Sequence, residues 1–333
     1  MNDDDTRGAL LVGAGNVGAL YDIDREPGAE SLTHLSALTS CEQISWIDVL
    51  ETNPENVQRI KRNRKIRHCF ASLAELEVNA NDYEIACIAT PSDTHFAMLR
   101  ALNKSAINIG HVLCEKPLFS SYSEFHSQVS NIKRMKFPVT VNYPRTWSID
   151  NTGLLDLAAT NDLGAYTSGV ASYGKGLKNN GSHMINLLVQ IFNGVPEITS
   201  VGQHCMNDLS QDPTVSFGLL LNGREITVIA TSSKSFSLFE VDLRFERGRI
   251  ILKDGGRVIE SYAPVTDPDY SEYAILGHQM SRPTDLGGSM QRAINSVISN
   301  PDSVNLEQAI ITANTYFNIE TAFNRAKGVG IHV

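Results

Sequence analysis

Short apolar runs separated by amphipathic stretches fill the first 143 residues. Gly8-Ala9-Leu10-Leu11-Val12 is an apolar run closed by glycines, as expected of a strand buried on both faces. Ile44 to Glu51 (ISWIDVLE) is a second run and ends in an acid. Asn53-Pro54 then sets an N-cap before a proline at the first helical position, opening a helix toward Lys61. Ser72 and Glu75 have capping-box spacing and start another short helix. Tyr83 to Thr90 (YEIACIAT) predicts a strand stopped by Pro91, with a helix over 94–103. His111 to Glu115 and Pro138 to Tyr143 are further strands, flanking a helix capped by Ser121. Strands alternating with helices predict right-handed crossovers and a parallel, doubly wound α/β sheet.

After Tyr143 the pattern changes. Thr214 to Ser233 reads as two strand-like runs joined by Asn222-Gly223, the strongest short hairpin signal. Phe236 to Glu246, Arg249 to Lys253 and Arg257 to Ala263 follow as strands, the last after the turn Asp254-Gly255-Gly256. With Ala165 to Tyr173 and Ile198 to Met206 they predict a mostly antiparallel, open-faced sheet of α+β type. A helix from Gly181 to Phe192, stopped by Asn193-Gly194, interrupts it. Helical patterns over 289–299 and 305–327 close the chain. The expected division is therefore residues 1–143, a dinucleotide-binding domain, and residues 144–333, a substrate-binding and oligomerisation domain.

Composition narrows the class of protein. Of 333 residues 42% are hydrophobic and 20% charged, enough apolar material for two ordinary cores. Lys and Arg total 28 against 37 Asp and Glu, a net charge of −9, which disfavours a nucleic-acid groove. No apolar stretch reaches the ~20 residues that span a bilayer, so no membrane partner is expected. Met1 to Asp5 is acidic and lacks the basic-then-apolar order of a secretory signal; Asp3 to Asp5 read as a solvated tail. The cysteines (Cys41, Cys69, Cys87, Cys114, Cys205) are odd in number and scattered, pointing to a reducing, cytoplasmic setting.

Gly13-Ala14-Gly15-Asn16-Val17-Gly18 follows the first strand directly and predicts a helix after it. The three glycines act differently. Gly13 makes the tight turn, Gly15 lets a pyrophosphate approach the backbone, and Gly18 lets helix and strand pack closely. The diphosphate would sit on the helix N-terminus, where unpaired N–H groups favour an anion. Glu51, at the end of the second strand, is the acid expected to accept the adenosine ribose hydroxyls, so NAD is favoured over NADP. It comes late because of an insertion over Tyr21 to Thr33. Asp48 is the weaker choice, lying inside the strand.

Glu115-Lys116-Pro117 ends the strand HVLCE, where open α/β sheets bind ligands. Together with GAGNVG, ATPSDTH (Pro91, His95), VNYPR (Asn142 to Arg145) and NNGSHMIN, it makes the chain resemble the glucose–fructose oxidoreductase/inositol dehydrogenase (Gfo/Idh/MocA) oxidoreductases. The resemblance implies a Rossmann domain followed by an open-faced sheet domain. It gives Lys116 the role of holding the reacting hydroxyl and stabilising the developing alkoxide, and His183 that of acid–base catalyst. Histidine titrates near neutral pH, and such proton transfer is worth roughly 10²–10⁴-fold in rate. Implied cofactor contacts are Gly13, Gly15, Asn16, Val17, Gly18, Glu51, Thr90, Pro91, His95, Glu115 and Lys116. Implied substrate contacts are Asn179, Lys175, Arg145 and Tyr143, with Lys175 and Arg145 suited to an anionic group.

The chain departs from the family pattern at two places. Asn179 and Asn186 stand where the family carries aspartates, four residues before and three after the histidine. Asn179 can orient a hydroxyl but cannot hold a negative charge for His183. His34, His68, His126, His204, His278 and His332 have no metal-ligand spacing, so no metal is expected. His111 and Cys114 read as packing residues.

The expected activity is hydride transfer between nicotinamide and a secondary hydroxyl of a sugar, cyclitol or nucleotide-linked sugar. The YDID insertion, the Tyr173-to-Gly176 turn and Asn179-to-His183 look like members from bacterial surface-polysaccharide gene sets. A non-catalytic dinucleotide-binding regulator is the alternative, kept open by Asn179. A methyltransferase is disfavoured by the Glu-Lys-Pro strand. A homodimer or homotetramer is expected, because an open sheet face needs covering.

Overall fold

The structure is a computed structural model that describes residues 7–26, 28–79, 81–148, 153–206, 211–300 and 305–327. The acidic segment Asp3 to Asp5 and His332 lie outside the described residues.

The chain forms two compact units. The first takes in residues up to Trp147 together with Gly287–Ala309; the second comprises Ser148–Leu286 and residues from Ile310 onward. The stretch 287–309, which sequence order groups with the second domain, thus joins the first unit. Its amphipathic helix explains why: Ala293, Ile294, Val297 and Ile298 pack into the apolar cluster of the first sheet.

The first unit is a six-stranded parallel sheet in the order β3-β2-β1-β4-β5-β6. Its strands are β1 (Arg7–Val12), β2 (Ile44–Leu50), β3 (Ile66–Phe70), β4 (Tyr83–Ile88), β5 (Ile109–Glu115) and β6 (Val139–Asn142). Most residues of β1, β4 and β5 are buried, as a sheet covered on both faces requires. β3 (IRHCF) escapes the sequence pattern because it is an edge strand whose Arg67 and His68 interrupt the apolar run. The helices are α1 (His34–Ser40), α2 (Pro54–Ile60), α3 (Leu73–Val78), α4 (His95–Lys104), α5 (Tyr122–Ile132) and the later helix Ser289–Ser299. Asn53, Ser72 and Ser121 cap α2, α3 and α5 through their side chains, as their spacing predicts. One expectation fails: the glycine turn opens only a π-helical turn, Asn16–Leu20, because the inserted segment leaves the helix there and the chain restarts helically at His34.

The second unit is an eight-stranded sheet, order β14-β13-β12-β11-β7-β10-β9-β8. Its members are β7 (Tyr166–Tyr173), β8 (Glu197–Met206), β9 (Thr214–Leu221), β10 (Arg224–Ala230), β11 (Phe239–Phe245), β12 (Gly248–Lys253), β13 (Val258–Thr266) and β14 (Ala274–Pro283). All neighbours run antiparallel except β7 and β10, which pair in parallel. The β9–β10 hairpin turns at Asn222 and Gly223, both left-handed with φ of 50° and 76°, the geometry that selects Asn-Gly. Helix Ser182–Phe192 stops at Asn193 in the left-handed region, as expected for its cap.

Candidate functional site

The glycine turn follows β1. Gly13 sits at φ +88°, and a β-carbon there would lie 2.9 Å from the backbone of Ala89 and Thr90. A β-carbon on Gly18 would stand 2.2 Å from the Gly13 carbonyl oxygen, whereas one on Gly15 would meet nothing within 4 Å. Gly13 and Gly18 are thus dictated by packing. Gly15 is not, and its bare backbone faces open space where a pyrophosphate needs to approach.

Glu51 lies just beyond β2. Its Oε2 accepts the Ala14 N–H at 2.7 Å and its Oε1 the Asn53 N–H at 2.7 Å. Asn56 Nδ2 donates to Oε2 at 3.2 Å. The carboxylate is thereby fixed at the mouth of a cleft of about 340 Å³ whose walls include Gly13, Gly15, Thr90, Pro91, Leu73 and Met98. Apolar walls with one anchored acid fit an adenosine: the acid for the ribose hydroxyls, the walls for the base. Thr90 also accepts a hydrogen bond from Thr94 Oγ1 at 2.9 Å. Asn16 and Val17 are exposed on the turn.

Glu115 and Lys116 lie at the carboxyl end of β5. Glu115 Oε1 accepts Asn142 Nδ2 at 2.7 Å and contacts His34 Nε2 at 2.9 Å. Asn142 Oδ1 in turn accepts Trp147 Nε1 at 3.1 Å. Burial alone pushes the Glu115 carboxyl up, but the hydrogen bond and charge of His34, the Asn142 amide and nearby Lys116 outweigh it and hold it below the usual range. The Lys116–Pro117 peptide is cis. His95, buried, lies 2.8 Å from the Pro117 carbonyl through Nδ1 and 2.8 Å from the Thr90 carbonyl through Nε2. It therefore braces the Thr90-Pro91 and Lys116-Pro117 segments against each other.

In the second unit, Lys175 and Gly176 are successive left-handed residues (φ 65° and 86°) leading into a π-helical turn, Gly176–Gly181. Asp212 holds that turn: its carboxylate oxygens accept the Lys178 and Asn179 N–H groups, each at 2.8 Å. A β-carbon on Gly176 would lie 2.1 Å from Asp212 Oδ2, so only glycine admits the carboxylate. Lys175 and Asn179 are exposed. On the helix that follows, Ser182 and the residues from Met184 to Val189 are buried, while His183 is partly exposed. Asn186 is 1% exposed and donates to Thr312 Oγ1 at 3.2 Å, a packing contact.

The remaining sequence candidates fall as follows. Tyr143 is only 2% exposed, and Arg145 is partly buried. Asp48 is fully buried and structural: Arg67 holds both its oxygens and Tyr83 donates to it at 2.9 Å. His111 packs against Thr140 Oγ1 at 2.8 Å, and burial pushes the Cys114 thiol well up, leaving it inert. All five cysteines are described, and none is joined in a disulfide. Among the described residues no three His, Cys, Asp or Glu side chains gather as a metal site, and no helix is long and apolar enough to cross a membrane. Two supporting residues are hidden in the sequence. His34 carries a weak signal, the Thr33 cap just before it; Asp212 carries none.

Residues 8–143 match the family model described as "Oxidoreductase family, NAD-binding Rossmann fold" (Gfo/Idh/MocA). This segment belongs to that family. The six-stranded parallel sheet, the glycine turn and the strand-end Glu51 all fall within or at the edge of the matched segment, which is described as an NAD-binding Rossmann fold. No curated protein matches the chain by sequence. Among solved structures, a 3-ketoreductase from Actinomadura kijaniata, in complex with TDP-benzene and NADP, superposes with a TM-score of 0.72 at 13% identity, over 95% of this chain and 97% of that one. A UDP-N-acetylglucosamine 3-dehydrogenase from Acidithiobacillus ferrooxidans gives 0.67 at 13% identity, over 95% and 98%. An oxidoreductase from Agrobacterium radiobacter, in complex with NAD+, L-tartaric acid and magnesium, gives 0.69 at 14% identity, over 96% of each chain. At such identities the likeness is one of fold.

Proposed function

We propose that the chain is an NAD-dependent dehydrogenase or reductase acting on a secondary hydroxyl of a sugar, cyclitol or nucleotide-linked sugar. The observation that carries this reading is Glu51: a carboxylate anchored by two backbone N–H groups at the adenosine cleft accepts ribose hydroxyls and repels a 2′-phosphate. When bound, the nicotinamide supplies or accepts the hydride. The chain's residues supply the rest. Lys116, at the end of β5, donates a hydrogen bond to the reacting oxygen and stabilises the charge that develops on it. His183, partly exposed on an otherwise buried stretch of helix, takes the hydroxyl proton in oxidation and returns it in reduction. Asn179 and Tyr143 orient the substrate, and Lys175 and Arg145 meet an anionic group such as a carboxylate or diphosphate.

The UDP-N-acetylglucosamine named for the 3-dehydrogenase and the TDP-benzene bound to the 3-ketoreductase favour this class over others open to the fold. A cytoplasmic setting is supported by the free thiols. Self-association through the outer sheet strands is supported by exposed Val265, Ile275 and Leu276 on β13 and β14. The test is a fluorescence titration with NADH and NADPH, followed by an absorbance screen with NAD and NADP across sugars, uronic acids, inositols and nucleotide sugars. NADH binding preferred over NADPH, with turnover of a hydroxylated substrate, is expected. Preference for NADPH overturns the cofactor assignment, and binding without turnover of any of them makes the chain a dinucleotide-binding regulator.

A further inference from the structure

The first residue of α1 is a histidine with 0% exposure, and it reaches the end of β5. His34 Nε2 lies 2.9 Å from Glu115 Oε1, the oxygen that also accepts Asn142 Nδ2 at 2.7 Å. Two groups converging on one oxygen fix the carboxylate's rotamer and take up charge from inside the fold. The placement of His34 is itself built. The Asp22 carboxylate accepts Leu32 N at 2.7 Å, Thr33 N at 3.1 Å and the hydroxyls of Thr33 and Ser36. It ties the inserted segment to the start of α1, so that the helix begins with His34 facing inward. The titratable groups facing His34 are Cys87 from β4 and Glu115 from β5. Around Glu115 stand Lys116, the neutral Asn142 from β6, and Met290 from helix Ser289–Ser299, whose sulfur lies 3.6 Å from Asn142 Nδ2.

We propose that His34 is a positioning residue for Lys116: it holds the Glu115 carboxylate in one orientation and shares its charge, so that less of that charge falls on the neighbouring ammonium. The proposal rests on the reading that Lys116 works at the reacting oxygen. Burial opposes a charged imidazole, but the contacts with Cys87 and Glu115 outweigh it and raise His34 to about 10. With the imidazole protonated, the pair is imidazolium and carboxylate, and Lys116 gives up or shares its proton more readily than beside a bare carboxylate.

Competitive labelling with acetic anhydride across pH, read by mass spectrometry of the Lys116 peptide, follows its proton affinity with neither substrate nor cofactor present. In His34→Gln, which keeps a donor but not the charge, the Lys116 midpoint is expected to rise by about half to one pH unit, while that of Lys175 stays in place. In a Glu115→Gln background the same change is expected to do nothing. A Lys116 midpoint unmoved in folded His34→Gln, or an equal shift in the Glu115→Gln background, overturns the proposal. Should His34→Gln fail to fold, ring ¹⁵N spectra of the wild-type protein decide: two protonated nitrogens on His34 at neutral pH support the pair, and a neutral ring contradicts it. Turnover by Lys116→Ala tests the catalytic reading separately, so either can fail without the other.

Discussion

Two loops of this chain are built alike yet differ in how far they can be read. Gly13 to Gly18 and Lys175 to Gly181 each turn through a left-handed glycine and continue into a π-helical turn. In each, a distant acid holds backbone N–H groups: Glu51 takes Ala14, and Asp212 takes Lys178 and Asn179. The acid of the first loop stands where a parallel sheet must place it, at the end of the strand beside β1. The acid of the second comes from the approach to β9, a position no periodicity marks. Position is legible when the fold's geometry dictates it, and hidden when a loop supplies it.

The largest effect expected is from Gly18→Ala, whose β-carbon would sit against the Gly13 carbonyl oxygen. That backbone cannot step aside, so thermal or denaturant unfolding should show a loss of about 2–4 kcal/mol. Gly15→Ala sharpens the contrast: with nothing near its β-carbon it should keep wild-type stability, yet NADH fluorescence should report binding at least about tenfold weaker. Equal stability losses in both variants would remove the distinction between a packing glycine and a phosphate-facing one. Glu51→Gln should weaken NADH binding by up to about tenfold and narrow the gap to NADPH, as read by parallel titrations. Asp212→Ala should cost about 1 kcal/mol, smaller because the Asn179 amide is exposed, while Asp212→Asn keeps one acceptor and recovers part of it.

A further effect is a trend with pH. His34 is raised in the folded protein, so its stabilisation is fully present below the unfolded value of about 6.5 and fades as pH rises toward about 10. Glu115 is lowered, so its share is present above about 4.5 and is lost as pH falls below that. The stability gap between wild type and His34→Gln should therefore be widest between these values and shrink steadily on the alkaline side. A gap that grows toward pH 10 would contradict the charged pair.

Much of the fold is legible in the chain. The buried strands β1, β2, β4 and β5 and the Asn-Gly hairpin follow from run length and turn chemistry. β3 is not, because an edge strand carrying Arg67 and His68 lacks the apolar run of its neighbours. Nor is the partnership of helix Ser289–Ser299 with the first sheet, since an amphipathic helix shows that it packs but not on what. At the site, the glycines, Glu51 and the Glu115-Lys116 strand end are readable. The supports behind them are less so. His34 reaches Glu115 across 81 positions, and Asp212 reaches Asn179 across 33, contacts made by tertiary folding alone. A sequence displays glycine turns and strand-end groups more openly than the groups that hold them in place.

The most direct test compares wild type with Lys116→Ala on whichever hydroxylated substrate the NAD screen identifies. The wild type should show NAD-dependent turnover, and the variant a loss of about 100-fold or more in kcat with NADH binding largely retained. Undiminished turnover by Lys116→Ala would contradict the role given to this lysine.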